Sequence, residues 1–168
     1  EIGDRLLVRT TTQAEPLVRE VFRHAVRRGA RVALDLKFRG QNKILLSEAE
    51  GEQLEFVSPL YREAMENYEA YLFIMAPFNL REDQHMDAQK VKRRQSALSG
   101  LQKIYSQRTA TRELKRSLCL YPTLANAQNA GMAMDEYEQF VYKACKLFEE
   151  DPIEAWLQVR TRQQKITD

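Results

Sequence analysis

One uninterrupted apolar segment constrains the fold of this chain more than any other feature. It reads Ala70-Tyr71-Leu72-Phe73-Ile74-Met75-Ala76 and ends at Pro77. The segment has the length of a strand and is far shorter than the roughly 20 residues of a membrane-spanning helix. A strand without polar alternation is typical of a parallel sheet covered on both faces. The segment therefore predicts a strand in the middle of a parallel sheet.

The rest of the chain alternates between strand and helix signals. Further strands are predicted at Arg5–Arg9, Arg31–Phe38 and Leu114–Tyr121. Helices are predicted at Gln13–Arg28, Asn42–Asn67, Asp87–Arg108, Thr123–Lys146 and from Asp151 onward. The second of these helices is interrupted at Ser58-Pro59 and the fourth at Gly131. Period-two alternation in the second strand predicts an edge position with one wet face. The order indicates right-handed crossovers. We predict a three-layer α/β fold of Rossmann-like topology: a mostly parallel sheet of four or five strands with helices on both faces, in a single domain over residues 1–168.

The turn after the first strand excludes the usual dinucleotide site. Thr10, Thr11 and Thr12 are expected to form a polar turn there, and none of the six glycines lies in GxGxxG or GxxxxGK[ST]. Ligands of open parallel sheets bind at the carboxyl ends of the strands. If the domain shapes a pocket, we expect it at Thr10–Thr12, Arg39–Asn42, Pro77–Asn79 and Tyr121–Thr123.

Charge and cysteine content indicate which partners and which cellular setting to expect. The 26 basic and 24 acidic residues give a net charge of +2. That balance supplies no strong field for nucleic acid or an anionic membrane, so neither is predicted as a partner. Cys119 and Cys145 are the only cysteines, and no secretory signal is visible. Both features favour a cytoplasmic setting, with a single disulfide left open.

Several polar residues are candidates for chemistry, and each has a structural alternative. Asp83, His85 and Asp87 alternate in one loop and offer oxygen and nitrogen ligands to a metal, or else form a solvated loop in which Asp87 caps a helix. His24 is interpreted as a partly buried structural histidine. The acidic residues Glu48, Glu50, Glu52 and Glu55 and the basic residues Lys90, Lys92, Arg93 and Arg94 are interpreted as solvated faces, with acid–base chemistry and phosphate contacts as the respective alternatives.

The aromatic residues near the carboxyl end allow two interpretations. Trp156 and the stripe of Tyr137, Phe140, Val141 and Tyr142 are expected to be packing residues, or part of a subunit or domain interface.

Longer stretches carry a family resemblance. They are Gly3–Val8, Ala14–Val18, Arg28-Gly29-Ala30, Ala76-Pro77-Phe78-Asn79, Leu120-Tyr121-Pro122-Thr123 with Ala127, Ala130-Gly131-Met132, Glu136–Ala144, Asp151-Pro152, Trp156 and Gln163. Together they span about Gly3 to Thr167, and the sequence resembles the thermophilic metallo-aminopeptidases, the aminopeptidase T and aminopeptidase S group.

The resemblance implies removal of amino-terminal residues from peptides by a centre of two divalent metal ions. It implies metal ligands in a second domain, so no catalytic, cofactor-binding or metal residue is assigned in this chain. The chain starts at Glu1 without methionine and ends at Asp168 within a continuing helical pattern. We expect it to be the amino-terminal, inactive part of a two-domain enzyme. Its expected partners are its own catalytic domain, a second copy in a homodimer, and peptide substrate.

Two other functions stay open at this point. One is a stand-alone α/β binding or adaptor domain that uses the carboxyl ends of its strands. The other is an enzyme that uses His85 and its acidic neighbours.

Overall fold

The computed structural model describes the backbone of residues 1–167 and the side chains of residues 1–166. Its helices and strands are β1 (Arg5–Thr11), α1 (Glu15–Arg27), β2 (Arg31–Lys37), α2 (Gln41–Glu48), α3 (Pro59–Asn67), β3 (Ala70–Met75), α4 (Ala88–Ala110), β4 (Lys115–Leu120), α5 (Leu124–Asn129), α6 (Met134–Ala144) and α7 (Pro152–Thr167), with short 3-10 helices at Thr12–Ala14 and Gly51–Leu54. They form two compact units, unit 1 (Glu1–Tyr121) and unit 2 (Pro122–Asp168). The single domain over 1–168 stays a prediction, and Asp168, where the helical pattern was expected to continue, lies outside the described residues.

Unit 1 is built on one four-stranded parallel sheet in the order β2-β1-β3-β4. The apolar segment is therefore an interior strand, as predicted, and β2 is an edge strand, as its alternation indicated. Arg5 pairs with Arg31, and the β1–β2 ladder continues to Thr11 beside Lys37. The predicted parallel α/β class is confirmed.

Helices pack on both faces of this sheet because neighbouring strand residues point to opposite sides. Leu7 packs with Met65 of α3 and Leu101 of α4, whereas Val8 packs with Val18 of α1. Gly29 ends α1 with a φ of +78°, a left-handed conformation that glycine adopts without a steric penalty. The three layers are thus α1, the sheet, and α3 with α4.

The predicted turn at Thr10–Thr12 is wrong for its first two residues. Thr10 and Thr11 continue β1, and the Thr10 hydroxyl, although buried, donates a hydrogen bond of 2.8 Å to the carbonyl oxygen of Ile74. The hydroxyl of Thr11 donates to the carbonyl of Ala76. β3 and the residue that follows it supply the two acceptors, so polar threonines extend β1.

Unit 2 is a set of three helices, two of which, α5 and α7, begin at a side-chain cap. The Thr123 hydroxyl accepts from the amide of Asn126 at 3.4 Å, and Asp151 accepts from the amides of Ile153 and Glu154 at 2.9 and 3.0 Å. Side-chain acceptors at these positions satisfy amides that have no partner within the helix. The predicted starts at Thr123 and Asp151 are confirmed.

Candidate functional site

A cavity of unit 1 lies where β1 and β2 end. It encloses about 800 Å³, and we call it the β1–β2 cavity. Its charged lining residues are Arg9, Asp35, Lys37, Asp83 and Arg94, and its apolar lining includes Phe38, Ile44, Leu45, Val57, Val91 and Leu98. Charged groups beside apolar walls are the usual composition of a small-molecule site.

Arg9 is the best-anchored charge of the cavity. Two residues after buried Leu7, it lies on the same face of β1 and pairs in register with Asp35 of β2. Its Nε lies 3.1 Å from Oδ2 of Asp35, and its guanidinium carbon is 4.3 Å from the ring centroid of Tyr61. A carboxylate and an aromatic face therefore hold Arg9 from two sides.

Lys37 and Arg94 carry charge that their surroundings disfavour. Burial lowers the pKa of Lys37 and of Arg94, and the positive charge of Arg9 lowers both further. Burial also raises the pKa of the Tyr71 hydroxyl, on the same face of the sheet, to about 12. The lining is thus rich in cations that lack full solvation.

A second, smaller cavity confirms part of the strand-end prediction. It measures about 180 Å³ and is lined by Thr11, Gln41, Asn42, Pro77 and Asn79, among others. Three of the four predicted segments therefore contribute side chains to it. Tyr121 lines neither cavity.

The two carboxylates of the Asp83-His85-Asp87 group have separate hydrogen-bond partners. Asp87 caps α4, accepting from the amides of Gln89 and Lys90 at 2.7 and 3.1 Å. Asp83 accepts from Nδ2 of Asn42 at 2.6 Å and lines the β1–β2 cavity. The solvated-loop interpretation therefore fits these two carboxylates better than a metal site.

The acidic and basic clusters meet each other. Glu50 pairs with Lys90 at 2.8 Å, and Glu55 pairs with Arg93 at 2.7 Å. The acidic side chains are exposed, as predicted. The wet-face interpretation is wrong for Lys90, which is half-buried and donates to the carbonyl of Ala49 at 2.9 Å.

Two further assignments concern single residues. His24 is exposed, so its interpretation as a partly buried residue is wrong. Arg94 leaves the basic cluster to donate to the carbonyls of Leu54 and Phe56 and to line the β1–β2 cavity.

Unit 2 has a large exposed apolar surface. Its exposed members include Phe140, Leu147, Phe148, Ile153, Trp156 and Leu157, together with Leu124 and Ile166. Tyr137 stacks on Phe140 with centroids 6.4 Å apart, and the Trp156 indole donates to the carbonyl of Cys145 at 2.9 Å. Of the predicted stripe, only Val141 is buried, which favours the interface interpretation for Phe140 and Trp156.

The metal-binding types of side chain in residues 1–166 do not assemble into a site. Among them, no group of three or more histidine, cysteine, aspartate or glutamate residues is placed to hold a metal ion. No helix of the described chain has the length and apolarity needed to cross a membrane.

Sequence reasoning missed the residues of the β1–β2 cavity. The signal was present in β2, where Asp35 and Lys37 alternate with apolar residues and were interpreted as the wet face of an edge strand. They share that face with Arg9. Nothing in the sequence places Arg94 beside them, because 56 residues separate it from Lys37 and only the packing of α4 brings the two together.

A parallel sheet between two helical layers, with a cavity at its carboxyl edge, defines a three-layer α/β domain. The chain belongs to the thermophilic metalloprotease family (M29), whose model matches residues 1–168. The predicted family resemblance is thus confirmed.

A solved structure supports the fold. Wild-type AmpT from Thermus thermophilus matches with a TM-score of 0.70 at 19% sequence identity. The match covers 94% of this chain and 41% of AmpT, so the chain spans about two fifths of that protein. A comparison with curated proteins yields no match.

Proposed function

We propose that residues 1–168 form the amino-terminal, non-catalytic domain of a metal-dependent aminopeptidase that removes amino-terminal residues from peptides. The observation that supports this proposal most is the match of the metalloprotease family model to the whole chain. Because the chain spans 41% of AmpT, we assign the reactive groups to a separate catalytic domain.

The side chains of residues 1–166 do not fit the two divalent metal ions that such an enzyme implies. No suitable group of carboxylates, histidines and cysteines is assembled among them. We therefore assign no catalytic step to this domain. Its proposed roles are to support the fold and the dimer and to help enclose the active-site cavity.

The carboxyl edge of the sheet supports the enclosing role. Both cavities of this edge are lined by polar side chains, including Lys37, Asn42 and Asp83. In open parallel sheets this edge is the one that meets ligands. We infer that peptide substrate and the catalytic domain approach unit 1 from this side.

The apolar surface of unit 2 supports a homodimer. Phe140 is 58% exposed, and aromatic residues are enriched at the cores of protein interfaces. We expect Phe140→Ala to shift sedimentation velocity profiles toward the monomer. Phe56→Ala is the matched control, because Phe56 of unit 1 is 62% exposed and lies outside this surface. Equal behaviour of both variants would contradict the assignment of the dimer to unit 2.

The central experiment compares residues 1–168 alone with the complete product of the reading frame that contains them. We expect the complete product to release leucine from a leucyl peptide when a divalent metal is present and to stop when a chelator is added. Residues 1–168 alone should release none.

Two outcomes would contradict the proposal separately. Chelator-sensitive release by residues 1–168 alone would disprove the non-catalytic role. A metal-loaded complete product without activity, or a reading frame that stops after Asp168, would disprove the assignment to a two-domain aminopeptidase.

A stand-alone binding or adaptor domain is the second candidate, and the β1–β2 cavity favours it. A ligand that binds residues 1–168 in the cavity, in a chain whose reading frame ends at Asp168, would support this function over the first.

A further inference from the structure

The β1–β2 cavity contains more positive than negative charge. Three cationic and two anionic side chains line it, which leaves one positive charge in excess. Both carboxylates already have partners within the lining. Asp35 pairs with Arg9 at 3.1 Å, and Asp83 accepts from Asn42 at 2.6 Å.

Lys37 is the cation left over. It is half-buried, and its ammonium group forms no ion pair or hydrogen bond with the side chains of residues 1–166. Asp35 and Asp83 attract it over longer distances, while Arg9 and Arg94 repel it. A buried charge without a partner is unfavourable unless something neutralises it.

Arg94 supplies a second cation without a carboxylate. Its Nη1 donates to the carbonyl oxygens of Leu54 and Phe56, which are neutral acceptors. These bonds fix the guanidinium beside the cavity and leave its charge uncompensated. Arg9 repels Arg94 as well, so one negative charge in the cavity would relieve both repelled cations.

The remaining lining is mostly apolar. Leu45, Val57 and Leu98 form part of the walls, and exposed Phe38 and Ile44 extend them. A ligand that fills this volume must place an apolar group against these side chains and its charge against Lys37.

We propose that the β1–β2 cavity binds a small molecule that carries one carboxylate beside an apolar group, as an N-acylated amino acid or the carboxyl end of a short peptide does. A single carboxylate matches the single excess charge, whereas a phosphate dianion would leave the cavity negative. This inference goes beyond the proposed function and stands on the cavity alone. Lys37 contributes an ionic contact, and the fixed guanidinium of Arg94 contributes a second one.

The test is calorimetric titration of the protein with N-acetyl-L-leucine and with N-acetyl-L-leucinamide, which differ only in the charge of the carboxyl group. The expected result is saturable binding of the acid with a dissociation constant below about 1 mM, and binding of the amide at least about tenfold weaker. Inorganic phosphate is the competing anion. Equal binding of acid and amide, tighter binding of phosphate, or no binding of the acid would overturn the proposal.

Two variants locate the site. Lys37→Met removes the charge and keeps the length of the side chain, and we expect it to weaken binding of N-acetyl-L-leucine at least about tenfold. Lys37→Arg should restore part of the affinity. Lys43→Met is the control, because Lys43 is exposed on α2 and does not line the cavity. Unchanged binding by Lys37→Met would place the ligand elsewhere and refute the assignment.

The test is independent of peptidase activity. Binding is measured without added metal, so loss of binding would refute the cavity site and leave the aminopeptidase assignment untouched. An inactive complete product that still binds N-acetyl-L-leucine would contradict only the assignment to an aminopeptidase.

Discussion

Leu7 provides the sharpest test of the layered core of unit 1. It is fully buried in β1 and contacts a cluster formed by Ala64, Met65, Leu101 and Leu114. Truncating a buried leucine to alanine removes its transfer free energy and leaves a cavity that the surroundings fill only in part. In a rigid core the cost is about 3–5 kcal/mol. Because α3, α4 and the hydrogen-bonded sheet limit collapse around Leu7, we expect Leu7→Ala to lie in this range.

Leu118→Ala is the matched control. Leu118 lies on the same face of the same sheet in β4, but it is 57% exposed. With less than half of its surface out of water, its truncation should cost about 1 kcal/mol. The two variants should therefore differ by about 2 kcal/mol or more in the free energy of unfolding.

The assay is urea denaturation followed by far-UV circular dichroism, with the slope of the transition compared among variants. Trp156 belongs to unit 2, so its fluorescence follows that unit separately. Equal midpoints for Leu7→Ala and Leu118→Ala, or a cost below about 1 kcal/mol for Leu7→Ala, would refute the position of β1 between two helical layers.

Three further predictions concern charged residues. Hydrogen bonds from Arg5 lower the pKa of the Glu69 carboxyl from 4.5 to about 2. The stabilisation that the ionised carboxylate provides is present above pH 4.5 and is lost as the pH falls toward 2. Glu69→Gln should therefore flatten the decline of the thermal midpoint in that interval, and an unchanged decline would contradict the pairing. Asp87→Ala removes the cap of α4 and should cost about 1 kcal/mol in urea denaturation, whereas no change would show that the cap is replaceable. Lys37→Met should raise the urea midpoint at neutral pH because burial disfavours the ammonium group, and a lower midpoint would show that Lys37 has a stabilising partner.

The basic cluster of α4 shows how far sequence reasoning extends. Lys90, Arg93 and Arg94 lie within five residues of one another in a basic stretch, which predicted a solvated face. In the structure they hold the segment between α2 and α3 through carbonyl oxygens and carboxylates about 40 residues away. A long cationic side chain looks the same in sequence whether it ends in water or on a backbone carbonyl.

Local patterns alone determined the approximate positions of the strands, several helix starts and the parallel class of this protein. The apolar run at Ala70, the stop at Gly29 and the caps at Asp87 and Asp151 act within a few residues, so their chemistry can be read without knowing the fold. Only tertiary structure decided which charges share a cavity. Three separate elements, β1, β2 and α4, supply Arg9, Lys37 and Arg94, and these cations repel one another because the elements pack together. No short-range sequence pattern encodes how close the three side chains lie.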